Sequence, residues 1–194
     1  MLAPALLKWL RSARPRRILD LGSGNGAMAA LMASQGFAVV GCDASLSGIE
    51  IARRAYPQIE FFQADVSNPL PDLHRAAYDL VVSTEVIEHL FFPRQLFARA
   101  REALQPGGRL VVSTPYHGYW KNLALALAGK FDDHWHPLRD FGHVKFFSFA
   151  TLSRLFAEQC FVMERTTRVG RVPIFARSMI LEARWNGQEP GNGI

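Results

Sequence analysis

Cysteine is scarce in this chain: two among 194 residues, Cys42 and Cys160, each inside an apolar, strand-like stretch. That usage offers no disulfide framework and reads as buried free thiols in a reducing, cytoplasmic compartment, with neither cysteine placed as a nucleophile. Long apolar runs are also missing. The nearest candidate, Lys121 to Lys130, is far too short to cross a bilayer. The N-terminal Met1 to Arg14 mixes leucines, Trp9 and basic residues at helical spacing, but no small-residue cleavage site precedes the first strand. It reads as a leading helix over 1–14 that packs on a sheet edge or lids the site, in preference to a membrane-surface segment. Repeats, low-complexity segments and composition breaks are absent, so one domain is expected over 1–194, long enough for a full core. Charge is not concentrated either. The net charge of +5 and pI near 9.6 permit a nucleic-acid or anionic-membrane partner, yet the arginines are dispersed apart from Arg11, Arg14, Arg16 and Arg17.

What the chain does have is Arg17-Ile18-Leu19-Asp20-Leu21-Gly22-Ser23-Gly24-Asn25-Gly26, an apolar strand running into a glycine-rich turn and then a helix from Ala27 to Gln35. Three glycines in five residues let the backbone bend tightly and are expected to bring its N–H groups close to a ligand. Gly22, Gly24 and Ala27 also fit the looser dinucleotide spacing G-x-G-x-x-G/A. Asp20 opposes that reading, because a carboxylate at the strand end repels a pyrophosphate and attracts an ammonium or sulfonium. The pattern points to a cationic nucleoside.

With Asp20 in place, Asp20 to Gly26 resembles motif I of the class I S-adenosylmethionine-dependent methyltransferases, matching at every glycine. The resemblance implies that the methionine part of the cofactor lies over Gly22 to Gly26, with Asp20 near its amino group. The apolar run Gly36 to Asp43 fits a parallel strand buried on both faces. Asp43 stands roughly 20 residues past the turn, where doubly wound folds place a carboxylate for the ribose hydroxyls; with Ser45 it is also placed to cap a helix Leu46 to Ala55. In the family, the Ala64-Asp65 dipeptide after the third strand (Ile59 onward) approaches adenine, and Asp65 can equally start the turn towards Pro69. The cofactor set carried over is Asp20, Gly22, Ser23, Gly24, Gly26, Asp43, Ala44, Asp65, Val66 and Thr84.

A fourth strand, Tyr78 to Ser83, leads into Thr84-Glu85-Val86-Ile87-Glu88-His89-Leu90. A helix starting there would place Glu85, Glu88 and His89 on one face, at i, i+3 and i+4. Such a face suits Mg²⁺, or the softer Mn²⁺ or Zn²⁺. The segment resembles that of the ubiquinone-biosynthesis O-methyltransferases and of the small-RNA terminal 2′-O-methyltransferases, which implies a divalent ion. His143, ahead of a helix Ser148 to Gln159, resembles the fourth ligand of the RNA enzymes, completing a metal set of Glu85, Glu88, His89 and His143. Without an ion, Glu85 stabilises the helix N-terminus and His89 or His143 is the general base, so the catalytic set is His89, Glu88 and His143. His134 and His136 with Asp132 and Asp133 make a weaker metal reading.

A helix Arg94 to Leu104 ends at Pro106-Gly107-Gly108, a Leu-x-Pro-Gly-Gly-x-Leu pattern typical of the same class, and a fifth strand runs from Arg109 to Pro115. Tyr116 to Phe147 then reads as an insertion over the C-terminal edge of the sheet, with Tyr116, His117, Tyr119, Trp120, Trp135, Phe141 and Phe146 to enclose a planar or lipidic acceptor. Within it, 119–130 is expected to be a lid helix packed on the core, or else to rest on a membrane surface or prenyl tail. Strands from Phe161 and Ser178, joined by a loop containing Pro173, would close an antiparallel edge, and 186–194 forms a loose tail.

The expectation is an α/β, Rossmann-like, doubly wound seven-stranded sheet, mostly parallel with one antiparallel edge strand. Its cofactor is S-adenosyl-L-methionine, its partner a small hydroxylated or quinol-like acceptor, and its chemistry methyl transfer to oxygen assisted by a divalent cation such as Mg²⁺. An RNA 3′-terminal ribose is the second acceptor, disfavoured by the missing basic tract. A non-catalytic cofactor-binding subunit and a nicotinamide-dependent reductase are the readings from other classes.

Overall fold

Parallel strands need crossover connections, and apolar runs alternating with amphipathic stretches supply them. A computed structural model of the chain describes residues 2–132, 138, 140, 142–170 and 176–191. Its elements are α1 (Leu2–Ala13), β1 (Arg17–Leu21), α2 (Ala27–Ala33), β2 (Ala38–Asp43), α3 (Leu46–Ala55), β3 (Glu60–Gln63), β4 (Tyr78–Thr84), α4 (Arg94–Ala103), β5 (Leu104–Pro115), α5 (Tyr119–Leu127), α6 (Phe149–Glu158), β6 (Phe161–Val169) and β7 (Ser178–Trp185). Short 3₁₀ turns lie at Asp72–His74 and Ile87–His89.

The seven strands run in the order β3-β2-β1-β4-β5-β7-β6. β1 to β5 are parallel, and β7 runs antiparallel to both of its neighbours. This is the doubly wound sheet expected; the reversed strand is β7, one place in from the edge, with β6 closing it. Chain order reverses between β1 and β4, which opens a crevice at their C-terminal ends.

Successive strand residues point to opposite faces, and the core divides accordingly. Ile18, Leu80, Val82 and Val111 face α1, α2 and α3, sharing a cluster with Leu6, Trp9, Leu10, Met32 and Ile49. Leu19, Val81, Leu110 and Val112 face the other way, with Leu96 and Phe97 of α4 and Leu152 and Phe156 of α6. The leading helix therefore belongs to a core layer. Its cluster partners run from β1 and β4 at the sheet centre to β7 and β6 at its edge.

The Pro-Gly-Gly segment also differs from expectation. β5 already pairs at Leu104 with Tyr78, and regular pairing resumes at Arg109 with Leu80, so 105–108 forms an irregularity within the strand. Gly107 takes φ +77° there. Of the two thiols, Cys42 is buried and Cys160 only partly so.

β5 gives way to the segment that was read as an insertion. A bridge between Tyr116 and Phe147 closes it, with the His117 N–H donating to the Phe147 carbonyl at 3.1 Å, so the chain leaves and returns at one point of the sheet. No residue of α5 is buried, and Tyr119, Trp120 and Leu127 are 72%, 62% and 82% exposed. A lid packed on the core is thus not what these residues form. Asp133, His134, Trp135, His136, Phe141 and Pro173 lie outside the described residues. Among those described, no helix is long and apolar enough to cross a membrane.

Candidate functional site

The crevice floor begins with Asp20, held in β1 between Gly41 of β2 and Val82 of β4. It is wholly buried, and neither carboxylate oxygen has a well-formed hydrogen bond, the Ala29 amide acting on it only weakly. Burial, and next the Asp43 charge, push its pKa up to about 7, against a weaker pull from the Ala29 amide. No basic side chain pairs with Asp20 or Asp43 among the described residues. An orphaned buried carboxylate is costly, and a bound cation would satisfy it.

The glycine loop does something other than expected. Gly22 and Ser23 donate their N–H groups to the Cys42 carbonyl at 2.8 and 2.9 Å, and Gly26 donates to the Ser23 carbonyl at 2.9 Å. The Gly24 N–H donates to Asp43 Oδ2 at 2.8 Å. These amides are engaged within the chain, so the loop is not an anion cradle, and α2 begins without a side-chain cap. What the loop supplies is close approach. Gly22 takes φ +88°, and a Cβ there would lie 2.4 Å from Val86 Cγ2, so the loop and the turn after β4 touch with no space between them.

Asp43 also takes the Ser45 N–H on Oδ1 at 2.8 Å, while Ser45 caps α3 by accepting from the Gly48 N–H. The cap is thus Ser45, and Asp43 ties β2 to the glycine loop with lone pairs left for further donors. The Ala44 carbonyl accepts from Gln63 Nε2 at 3.0 Å. Asp65 starts a turn, accepting from the Ser67 N–H at 2.8 Å, and that bond holds its carboxyl below the usual range. Val66 packs against the core, and Thr84 ends β4 opposite Ser113. Asp20, Asp43, Asp65 and Thr84 therefore follow the same edge of four parallel strands.

After β4 the chain breaks at once. Glu85 has φ +56°, and only a 3₁₀ turn at Ile87–His89 follows, so the expected helical face of Glu85, Glu88 and His89 does not exist. The Glu85 carboxylate accepts from Ser113 Oγ at 2.8 Å, with a longer 3.5 Å contact from Ser178 Oγ. Burial raises its pKa, with those hydroxyls and then His89 opposing. Glu88 is 1% exposed; its Oε2 accepts from Thr114 Oγ1 at 2.9 Å and its Oε1 has no partner. Ser113 and Thr114 are neighbours on β5 and point to opposite faces, so they draw the two glutamates apart. Burial pushes Glu88 up to about 7; its own backbone amide pulls downward, the Glu85 charge adds to the rise, and Thr114 pulls downward more weakly.

His143 reaches this turn through the backbone. The Val144 and Lys145 N–H groups both donate to the Glu88 carbonyl, at 2.9 and 3.0 Å. His89 Nδ1 donates to the Gly142 carbonyl at 3.2 Å, which fixes the orientation of the ring. The His89 and His143 rings meet edge to face, 4.9 Å between centroids. One ligand atom each from Glu88, His89 and His143 lies within 4.8 Å of the others. Glu85 is not in that group, because Ser113 holds it elsewhere. Sequence reasoning missed Ser113 and Thr114, two hydroxyls at the end of β5 beside the end of β4, where they face the acidic turn.

Comparison with known proteins agrees with the fold. A profile of the methyltransferase domain family matches residues 2–165. The chain is 35% identical over 126 residues to the ubiquinone biosynthesis O-methyltransferase of Chelativorans sp. (strain BNC1), covering 61% of this chain and 49% of that protein. It spans about half the length of the curated relatives it matches. The fold is similar to magnesium protoporphyrin IX methyltransferase from Synechocystis PCC 6803 with bound SAH (TM-score 0.71, 20% identity, 94% of this chain and 81% of that one). It is also similar to an S-adenosylmethionine-dependent methyltransferase from Mesorhizobium loti (TM-score 0.68, 22% identity, 88% and 90%). With a profile match over most of its length and a doubly wound sheet like those of S-adenosylmethionine-dependent methyltransferases, the chain belongs to the methyltransferase domain family.

Proposed function

We propose that the chain holds S-adenosylmethionine across the β1/β4 crevice and transfers its methyl group to an oxygen of a small hydroxylated, quinol-like acceptor beneath the 116–147 segment. The observation that carries this reading is Asp20, a buried carboxylate with no well-formed hydrogen bond beneath a loop whose amides are engaged. The cofactor's ammonium satisfies it, whereas a pyrophosphate would meet both Asp20 and Asp43 with like charge. Asp43 turns its remaining lone pairs to the ribose hydroxyls, and Asp65 with Val66 borders the adenine.

In the transfer, the acceptor oxygen attacks the methyl carbon in line, the carbon–sulfur bond breaks, and opposite charges cancel on sulfur and oxygen. Exclusion of water and fixed orientation favour that step. Without an ion, the acceptor's proton passes to His89 or His143, His89 being oriented by its Nδ1 contact with the Gly142 carbonyl. One carboxylate oxygen and two imidazoles in this spacing fit a divalent cation of the Mn²⁺ or Zn²⁺ type better than Mg²⁺, which prefers oxygen. An ion held by Glu88, His89 and His143 would lower the acceptor hydroxyl's pKa and orient it.

α5 supplies the lipidic side of the reading. Tyr119, Trp120, Leu123 and Leu127 are exposed beside Lys121, a composition suited to a prenyl tail or a membrane surface. The test is conversion of S-adenosylmethionine to S-adenosylhomocysteine with catechol as acceptor, with and without Mn²⁺, in the wild type and Glu88→Ala. Turnover lost in the variant with S-adenosylhomocysteine binding retained supports the assignment; full activity there sinks it.

A further inference from the structure

Three basic residues meet around Tyr116 at the base of the 116–147 segment. Lys121, in the first turn of α5, donates from Nζ to the Tyr116 carbonyl at 2.9 Å. The Tyr116 N–H donates to the Arg177 carbonyl at 2.9 Å. The Arg168 guanidinium lies over the rings of Tyr116 and Phe149, 5.8 and 5.3 Å from their centroids. Tyr116 is thus the common neighbour of all three residues.

None of them has an acidic partner among the described residues, although carboxylates neutralise the far end of the same hairpin. There Arg109, Arg165 and Arg184 pair with Glu164 or Glu182 at 2.6–3.7 Å. Burial, and next the Arg177 charge, hold the Lys121 ammonium below its usual range, so like charges are being kept together. Cation–π contact with both rings holds Arg168 without consuming its N–H donors. The oxygens of an anion fit those donors.

The position relates the cluster to the chemistry. Tyr116, one residue past β5, packs on the cluster that takes Leu110 and Val112, so it lies on the side of the sheet to which Thr114, the anchor of Glu88, points, about 7 Å further along. An aromatic ring spans that interval. We propose that Lys121, Arg168 and Arg177 form a subsite for a carboxylate or phosphate on the methyl acceptor, making the acceptor an anionic hydroxylated aromatic. This rests on the methyl-transfer reading for its acceptor, but the subsite itself binds with or without cofactor.

The experiment follows the arginine Nε–Hε resonances of the full chain, assigned with Arg168→Gln and Arg177→Gln, during titration with benzoate, phenyl phosphate and benzyl alcohol. The expected result is saturable movement of Arg168 and Arg177 with benzoate or phenyl phosphate but not with benzyl alcohol. Whichever anion binds more tightly names the acceptor's group. Arg177→Gln should weaken that anion about tenfold, while Arg165→Gln, at the paired end, leaves it unchanged. Equal movement with benzyl alcohol, or no saturation with either anion, overturns the subsite. Capture of an oligoribonucleotide ahead of both anions overturns it in favour of a nucleic-acid backbone. A separate titration with S-adenosylhomocysteine reads the cofactor site, so its failure would count against methyl transfer and not against the anion subsite.

Discussion

Asp20→Asn should make the protein more stable while removing its cofactor affinity. The folded chain raises the Asp20 pKa from its ordinary 3.8 to about 7. A raised carboxylate pKa means that the penalty is absent below pH 3.8, grows through the interval, and is complete above pH 7. Roughly three pH units at 1.36 kcal/mol each amount to about 4 kcal/mol at pH 8. Asparagine keeps the shape without the charge, so the variant should exceed the wild type by about that much at pH 8, the gap narrowing as pH falls. Urea denaturation at several pH values reads the gap, and calorimetry with S-adenosylmethionine reads the lost binding, about a hundredfold or more for a desolvated ion pair. In the wild type, protonation of Asp20 should weaken the cofactor about tenfold between pH 8 and pH 6. A variant that is no more stable at pH 8, or that retains cofactor affinity, would refute the reasoning.

Other sites make equally specific demands. Gly22→Ala should cost about 1–3 kcal/mol in urea melts, since φ +88° and the 2.4 Å approach to Val86 Cγ2 both penalise a Cβ; Gly22→Ala with Val86→Ala should recover part of that loss. Thr114→Val removes a hydrogen bond that lowers the Glu88 pKa, so the acid limb of the rate profile should move to higher pH, with S-adenosylhomocysteine binding unchanged. Glu85→Gln should leave Mn²⁺ affinity within about threefold of wild type while Glu88→Gln abolishes it, read by calorimetry; equal losses would return Glu85 to the ligand set. Trp120→Ala should change stability by no more than about 0.5 kcal/mol, because its side chain is mostly exposed, yet reduce association with anionic vesicles.

Local rules made much of the sheet readable. Asp20 at a strand end before three glycines placed the crevice, and Ser45 capping a good helical pattern gave α3 its bounds, Leu46–Ala55. Other features are set by contacts distant in sequence. Glu85-Val86-Ile87-Glu88-His89 has helical spacing, but the Glu85 N–H bonds to Ser113 on β5 and the backbone turns left-handed instead. The glycine loop looked like an amide cradle until β2 and Asp43 claimed those amides. His143 meets Glu88 because two backbone donors pin the returning chain to one carbonyl, a contact that leaves no local pattern. α5 carries an apolar stretch that the core does not use, which composition cannot distinguish from a packed helix.

The most direct measurement of the central claim is calorimetric titration of the protein with S-adenosylmethionine, S-adenosylhomocysteine and NADH, each with and without Mn²⁺. Both sulfur nucleosides should bind, S-adenosylmethionine should weaken as pH falls through 7, and NADH should give no heat. Binding of NADH alone would contradict the reading of Asp20 and the methyl transfer built upon it.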